Sequence, residues 1–178
     1  RQMLLDWTDI DTVYICRTDD QQIVGLSDRT TQANSLGADH YHSIHSDAAS
    51  MGSPANSTLI MWGQLGIGGP EKTPYGGKKM SQIMISFLTP GMRNTNRGEA
   101  GFHTNPKQNQ LNMNENWKRL EAKTIFWTIL SYHNIPRPYV GTAAGIITDF
   151  ESGLAINGAI VSLDGQVDTT DTYQSLFY

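Results

Sequence analysis

Ala38-Asp39-His40-Tyr41-His42-Ser43-Ile44-His45-Ser46-Asp47-Ala48 is the stretch on which the reading of this chain turns. From His40 to His45 it reads as a β-strand, and it closes in small polar residues. Three of the chain's five histidines fall here. Histidine is the commonest metal ligand and a proton shuttle near neutral pH. Side chains alternate across a strand, so His40 and His42 should point to one side of the pleat and His45 to the other. The three are therefore not expected to ligate one metal together. In an open α/β sheet, functional groups cluster beyond the carboxyl ends of the strands. His45, at the junction of strand and loop, is thus the metal-ligand candidate. His40 and His42 read as packing or surface residues, and Ser46 and Asp47 as loop polarity or as support for His45.

The segments before this stretch fit an α/β arrangement. Residues 1–9 read as the end of a helix, with Met3, Leu4 and Trp7 on one face. Thr12-Val13-Tyr14-Ile15-Cys16 is β-rich and predicts a strand, with Cys16 as a buried, inert thiol. Arg17 to Asp20 closes it as a polar turn. Asp28 to Leu36 predicts a helix capped by Ser27, with Asp28 in the first turn and Gly37 at the C′ position. Then come the His40–His45 strand and a third at Thr58-Leu59-Ile60-Met61-Trp62. Strand, helix, strand in this order suggests a parallel unit.

Downstream, the Gly- and Pro-rich residues 63–78 predict a loop. Met80, Ile83, Met84, Phe87 and Leu88 recur at helical spacing, an amphipathic helix stopped by Pro90-Gly91. Residues 91–114 are rich in Asn and lack apolar periodicity; Gly98-Glu99-Ala100-Gly101-Phe102 is their compact feature. Asn112 or Asn114 can cap a helix over roughly 115–132. Its stripe of Trp117, Leu120, Thr124 and Trp127, widened by Ile125, Phe126 and Ile129, predicts packing on a sheet. Pro136 and Pro138 end it. After Pro138 the pattern changes to short β runs, Ile146-Ile147 and Ala159 to Leu163, with turns at Glu151-Ser152-Gly153 and Asp164-Gly165. This shift predicts a domain boundary, giving domains 1–138 and 139–178.

The 178 residues suffice for one domain or one and a part, and 38% hydrophobic with 17% charged residues is a globular balance. The net charge of -4 argues against nucleic acid as a partner. No apolar run reaches the roughly 20 residues of a membrane span. The chain starts at Arg1-Gln2 without Met, which suggests a processed or truncated product. Among other candidates, Glu99 lies where the chain must bend tightly, and a carboxylate there can serve as general base to a metal-bound water. His103 and His133 read as surface or capping residues. Asn56-Ser57-Thr58 matches a glycosylation pattern of the kind that recurs by chance.

An ordered series of motifs resembles the zinc-dependent N-acetylmuramoyl-L-alanine amidases of the amidase-3 type. Val13-Tyr14-Ile15-Cys16-Arg17-Thr18-Asp19-Asp20 resembles the strand that ends in an Arg-Thr-x-Asp turn. Leu26-Ser27-Asp28-Arg29, with Ala33-Asn34 and Ala38-Asp39, is similar to the family's L-x-x-R…A-N…A-D helix. Ser43-Ile44-His45-Ser46-Asp47-Ala48 resembles S-I-H-x-N-A, with Asp47 where Asn is usual. Glu99-Ala100-Gly101-Phe102-His103-Thr104-Asn105 resembles E-x-G-F-x-S/T-N.

The resemblance implies an α/β fold, a mostly parallel sheet with helices on both faces, entered part-way because the family's earlier motifs are not in residues 1–178. It implies hydrolysis of the amide between N-acetylmuramic acid and the L-alanine of the stem peptide, in peptidoglycan, by a secreted or cell-envelope protein. It implies zinc as cofactor, His45 as a metal ligand and Glu99 as the catalytic carboxylate. The family's other two ligands, a histidine in D-x-G-H-G and a later glutamate, have no counterpart here. Before Glu99 the family has an apolar strand, whereas this chain has the polar Arg93 to Gly98.

Residues 141–178 resemble the first half of a carboxypeptidase-regulatory-like β-sandwich, a partial all-β sandwich whose open edges would suit self-association or surface anchoring. The carrying residues are Gly145 to Asp149, Glu151 to Val161 and Thr170 to Ser175. The rival expectation is a non-catalytic, amidase-derived surface or assembly protein.

Overall fold

The computed structural model describes residues 1–55, 60–72, 76–91, 102–139, 141, 143–170 and 176–177. They fall into two compact units, Arg1–Ile44 and His45–Tyr178.

The first unit holds two helices, α1 (Gln2–Trp7) and α2 (Leu26–Ser35). Leu4 is the buried residue of α1. Helix α2 starts earlier than the sequence suggested, and its N-cap is Gly25 rather than Ser27. Asp28 does lie in its first turn, where the helix dipole favours a carboxylate. The C-terminal end matches expectation: Gly37 takes φ +61°, a left-handed conformation that glycine adopts without a Cβ penalty. The Ala38 N–H then closes back onto the Ala33 carbonyl at 3.1 Å.

The strands expected at Thr12–Cys16 and His40–His45 do not form. A β pattern becomes a strand only against a ladder partner, and neither segment has one among the described residues. Tyr14, Ile15 and Cys16 are exposed, so the expectation of a buried thiol is corrected. The polar turn is present: the Asp19 carboxylate accepts from the N–H groups of Gln21 (2.9 Å) and Gln22 (3.0 Å). Of the third expected strand, residues 60–62 are irregular and 58–59 lie outside the described residues.

The second unit is built on α3 (Lys78–Gly91), α4 (Pro106–Met113) and α5 (Glu115–His133). Helices α3 and α5 follow the predicted periodicity and pack on one another. Met80, Met84 and Leu88 of α3 meet Leu111 of α4 and Trp117 of α5, with Ile60, Leu120, Ile129 and Tyr132 around them. The broad face of α5 was expected to pack on a sheet; its main partner among the described residues is α3, with lesser contacts to α4 and to the short strand Leu176–Phe177.

Asn114 caps α5 by accepting from the Trp117 N–H at 2.8 Å. Two buried threonines on α5 need no outside partner, because Thr124 donates to the Glu121 carbonyl (2.7 Å) and Thr128 to the Thr124 carbonyl (2.8 Å). Lys123 is buried with its ammonium over the rings of Phe126 and Trp127, and burial pulls its pKa down. The Arg137 guanidinium closes the far end, 4.8 Å from the Phe87 ring and 5.3 Å from Trp127.

The last segment carries β1 (Gly145–Ile146), β2 (Ile160–Leu163), β3 (Gln166–Thr169) and β4 (Leu176–Phe177). Strands β2 and β3 form an antiparallel hairpin in which Leu163 faces Gln166 and Ile160 faces Thr169. Its two-residue loop is Asp164-Gly165, both at positive φ, the turn that matches strand twist. Strand β1 pairs antiparallel with β4.

Thr170 is the buried hub of the segment. Its N–H meets the Ala159 carbonyl, and its hydroxyl accepts from the Ala159 N–H while donating to the Ile156 carbonyl. Asn116 of α5 reaches Asp168 of β3 at 3.4 Å. No helix among the described residues is long and apolar enough to cross a membrane.

Two outcomes follow from this packing. Leu88 is fully buried; Leu88→Ala should lower unfolding free energy by about 2–5 kcal/mol in urea titration. The Asp149 carboxylate accepts from the Ser152 hydroxyl (2.7 Å) and N–H (2.8 Å), which hold its pKa below the ordinary value. A depressed pKa means that the turn's stabilisation is present at neutral pH. It should begin to fade near the unfolded value of about 3.9 and be lost as pH falls through the lower folded pKa. Amide exchange at Ser152 followed against pH checks this, and Asp149→Ala should abolish the dependence.

Candidate active site

The site is built on the loop that follows His45 and on the turn from Phe102 to Asn105. Asp47 and Phe102 meet in a short parallel bridge. The His103 N–H donates to the Asp47 carbonyl at 3.0 Å. The Ala49 N–H donates to Thr104 Oγ1 at 2.8 Å, and the Gly52 N–H to the Thr104 carbonyl at 3.2 Å.

Asn105 closes the row. It is buried, and its Nδ2 donates to the carbonyls of Pro54 (3.1 Å) and Ala55 (3.3 Å). Its Oδ1 accepts from the Gln108 N–H at 3.1 Å as the N-cap of α4. One amide group thus fixes both a loop and a helix.

His45 is exposed and stands at the entrance to this loop, two residues before the bridge. The structure therefore joins the segment that carries His45 to the segment that follows Glu99. Glu99 itself lies outside the described residues, as do Arg93 to Gly98 and Asn56-Ser57-Thr58. His40 and His42, in the first unit, stack with ring centroids 6.0 Å apart and 16° between planes. His133 is the last residue of α5, exposed, and meets Tyr132 edge-on at 5.0 Å. Asp47 turns its carboxylate onto the Ala48 N–H at 2.7 Å. Ser46 Oγ lies 3.0 Å from His103 Nδ1. Among the described residues no group of three or more His, Cys, Asp or Glu is placed to hold a metal ion.

Sequence reasoning did not anticipate α4 or the Ser46–His103 pair. Helix α4 has almost no apolar face, so periodicity cannot reveal it; the signal was Asn105-Pro106, a capping side chain followed by proline at N1. The pair joins residues 57 positions apart, a separation that no local pattern reports.

No protein-family model and no curated protein sequence matches this chain. Solved structures do. The N-acetylmuramoyl-L-alanine amidase from Clostridium difficile 630 is similar at 28% identity and a TM-score of 0.58, over 69% of this chain and 72% of that one. The catalytic domain of CwlV, an N-acetylmuramoyl-L-alanine amidase from Bacillus (Paenibacillus) polymyxa var. colistinus, is similar at 20% identity and a TM-score of 0.54, over 67% and 71%. The fold is amidase-like. Within it, the clasp between loop 46–55 and residues 102–105 is what holds the His45 segment in place.

Asn105→Ala should cost about 2 kcal/mol, roughly half from the lost cap and half from the carbonyls it leaves. Asn105→Asp keeps the capping oxygen but sets an acceptor against the carbonyls of Pro54 and Ala55, so it should cost at least as much as the alanine variant while leaving the cap in place. Urea titration with amide exchange at Gln108 separates the parts: the alanine variant speeds exchange there and the aspartate variant does not.

Proposed function

We propose that this chain is part of a peptidoglycan hydrolase that cleaves the amide between N-acetylmuramic acid and the L-alanine of the stem peptide. The observation that carries the reading is the structural likeness to the Clostridium difficile amidase at 28% identity over most of the chain. The clasp supports it, because two of the four segments that resemble family motifs, Ser43 to Ala48 and the described end of Glu99 to Asn105, are tied together by the fold. A substrate of this kind lies outside the cytoplasm, so the reading carries a secreted or cell-envelope location. Residues 139–178 are read as an accessory β module, the first part of a carboxypeptidase-regulatory-like sandwich.

In this proposal His45 supplies one zinc ligand and Glu99 the carboxylate that manages the proton. Zinc, when bound, supplies Lewis-acid polarisation of the scissile carbonyl and a water acidic enough to ionise near neutral pH. The described residues do not by themselves complete such a site. A catalytic zinc normally takes three protein ligands, and no such group stands among them. What supports the role of His45 is that its imidazole is exposed at the start of a loop held by backbone hydrogen bonds.

A second reading is favoured by one observation. The β2–β3 hairpin leaves Ile160, Leu163 and Val167 exposed, and Phe150 and Tyr139 nearby in sequence are fully exposed. Such a surface suits an amidase-derived assembly or surface protein that pairs through 139–178.

Elemental analysis of the natural protein and release of stem peptides from sacculi decide between them. The hydrolase should hold stoichiometric zinc. His45→Ala should reduce release by more than ~100-fold, beyond the 10–100-fold typical of losing an outer partner of a ligand. Absence of zinc together with unchanged behaviour of the variant would leave the assembly reading.

A further inference from the structure

We infer that His103, oriented by Ser46, is a substrate-positioning residue that donates a hydrogen bond from Nε2 to an acceptor oxygen of the stem peptide; this rests on the amidase reading above. An exposed histidine ring ordinarily samples several rotamers. Here the ring is held through Nδ1 on Ser46 Oγ at 3.0 Å, and the backbone that carries it is held separately by its N–H on the Asp47 carbonyl at 3.0 Å. In neutral imidazole one ring nitrogen donates and the other accepts. A Ser46 hydroxyl donating to Nδ1 leaves the proton on Nε2, which is also the intrinsically favoured tautomer. No described residue occupies that nitrogen, and the ring is exposed.

Ser46 and His103 both fall at unspecified positions of the motifs S-I-H-x-N-A and E-x-G-F-x-S/T-N, so the pair is a feature of this chain rather than of the pattern it resembles. Ser46 directly follows His45, so the imidazole that it holds stands beside the loop that carries His45. A muramoyl tripeptide bound with its scissile amide at His45 offers Nε2 carbonyl oxygens beyond the first residue, which muramoyl-L-alanine lacks.

The test compares muramoyl-L-alanine with a muramoyl tripeptide on the full chain and its variants. His103→Leu should raise KM for the tripeptide about tenfold, the effect of one lost hydrogen bond, with kcat little changed and the short substrate unaffected. His103→Gln, whose amide nitrogen falls near the imidazole Nε2, should restore most of the loss. Ser46→Ala should give an intermediate KM, and ¹⁵N NMR should show the Nε2–H tautomer in the parent.

Equal changes on both substrates would reduce His103 to a structural role and overturn the inference, as would no change in either or an Nδ1–H tautomer. Binding of the tripeptide measured without turnover separates the two readings. A parent that binds it through His103 without hydrolysis refutes the amidase and keeps the positioning role. A His103→Leu variant that binds and hydrolyses it as well as the parent does the reverse.

Discussion

The second unit turns on a polar clasp: hydrogen bonds tie the loop after His45 to residues 102–105. Loop 46–55 has no ladder of its own, and it meets residues 102–105 instead. Asp47, Ala49, Gly52, Pro54 and Ala55 each give or take a bond with His103, Thr104 or Asn105. Bonds of this kind contribute only about 1 kcal/mol each, and most of the loop is exposed, so it is held by several of them acting together. Asn105 joins this clasp to the apolar core, because its other end starts α4, and α4 brings Leu111 to Met84 and Leu88. The packing of α3 on α5 and the position of His45 are thus linked through one side chain.

Hydrophobic periodicity made α3 and α5 legible. Met80, Ile83, Met84, Phe87 and Leu88 return every three or four residues, and that spacing has one good solution when a face must be buried. Local chemistry was legible too. Asp164-Gly165 can close a two-residue hairpin, Gly37 can end a helix left-handed, and Asn114 can cap α5.

Long-range pairing was not legible. Thr12 to Cys16 and His40 to His45 have strand composition, yet strand formation is decided by a partner elsewhere in the chain, which composition does not encode. Cys16 was misjudged for the same reason: its burial was inferred from a strand that does not form. Helix α4 escaped because its Asn- and Gln-rich turns carry no apolar stripe; its start is set by a cap and a proline. At the candidate site, His45 was chosen from its place where an expected strand meets a loop. The partnership of Ser46 with His103 required the fold.

The C-terminal segment shows the same preference for polar organisation. Four hydrogen bonds converge on Thr170, whose hydroxyl both gives and receives, while Ile160, Leu163 and Val167 stay in contact with solvent. An isolated two-stranded hairpin is marginal in water, since it buries apolar surface on neither face. This one is steadied by Thr170 within the segment and by Asn116 of α5 from outside. Its geometry is consequently set by directional bonds. The apolar side chains that would ordinarily fix a sheet are left free to meet another surface without disturbing the turns that hold the segment together.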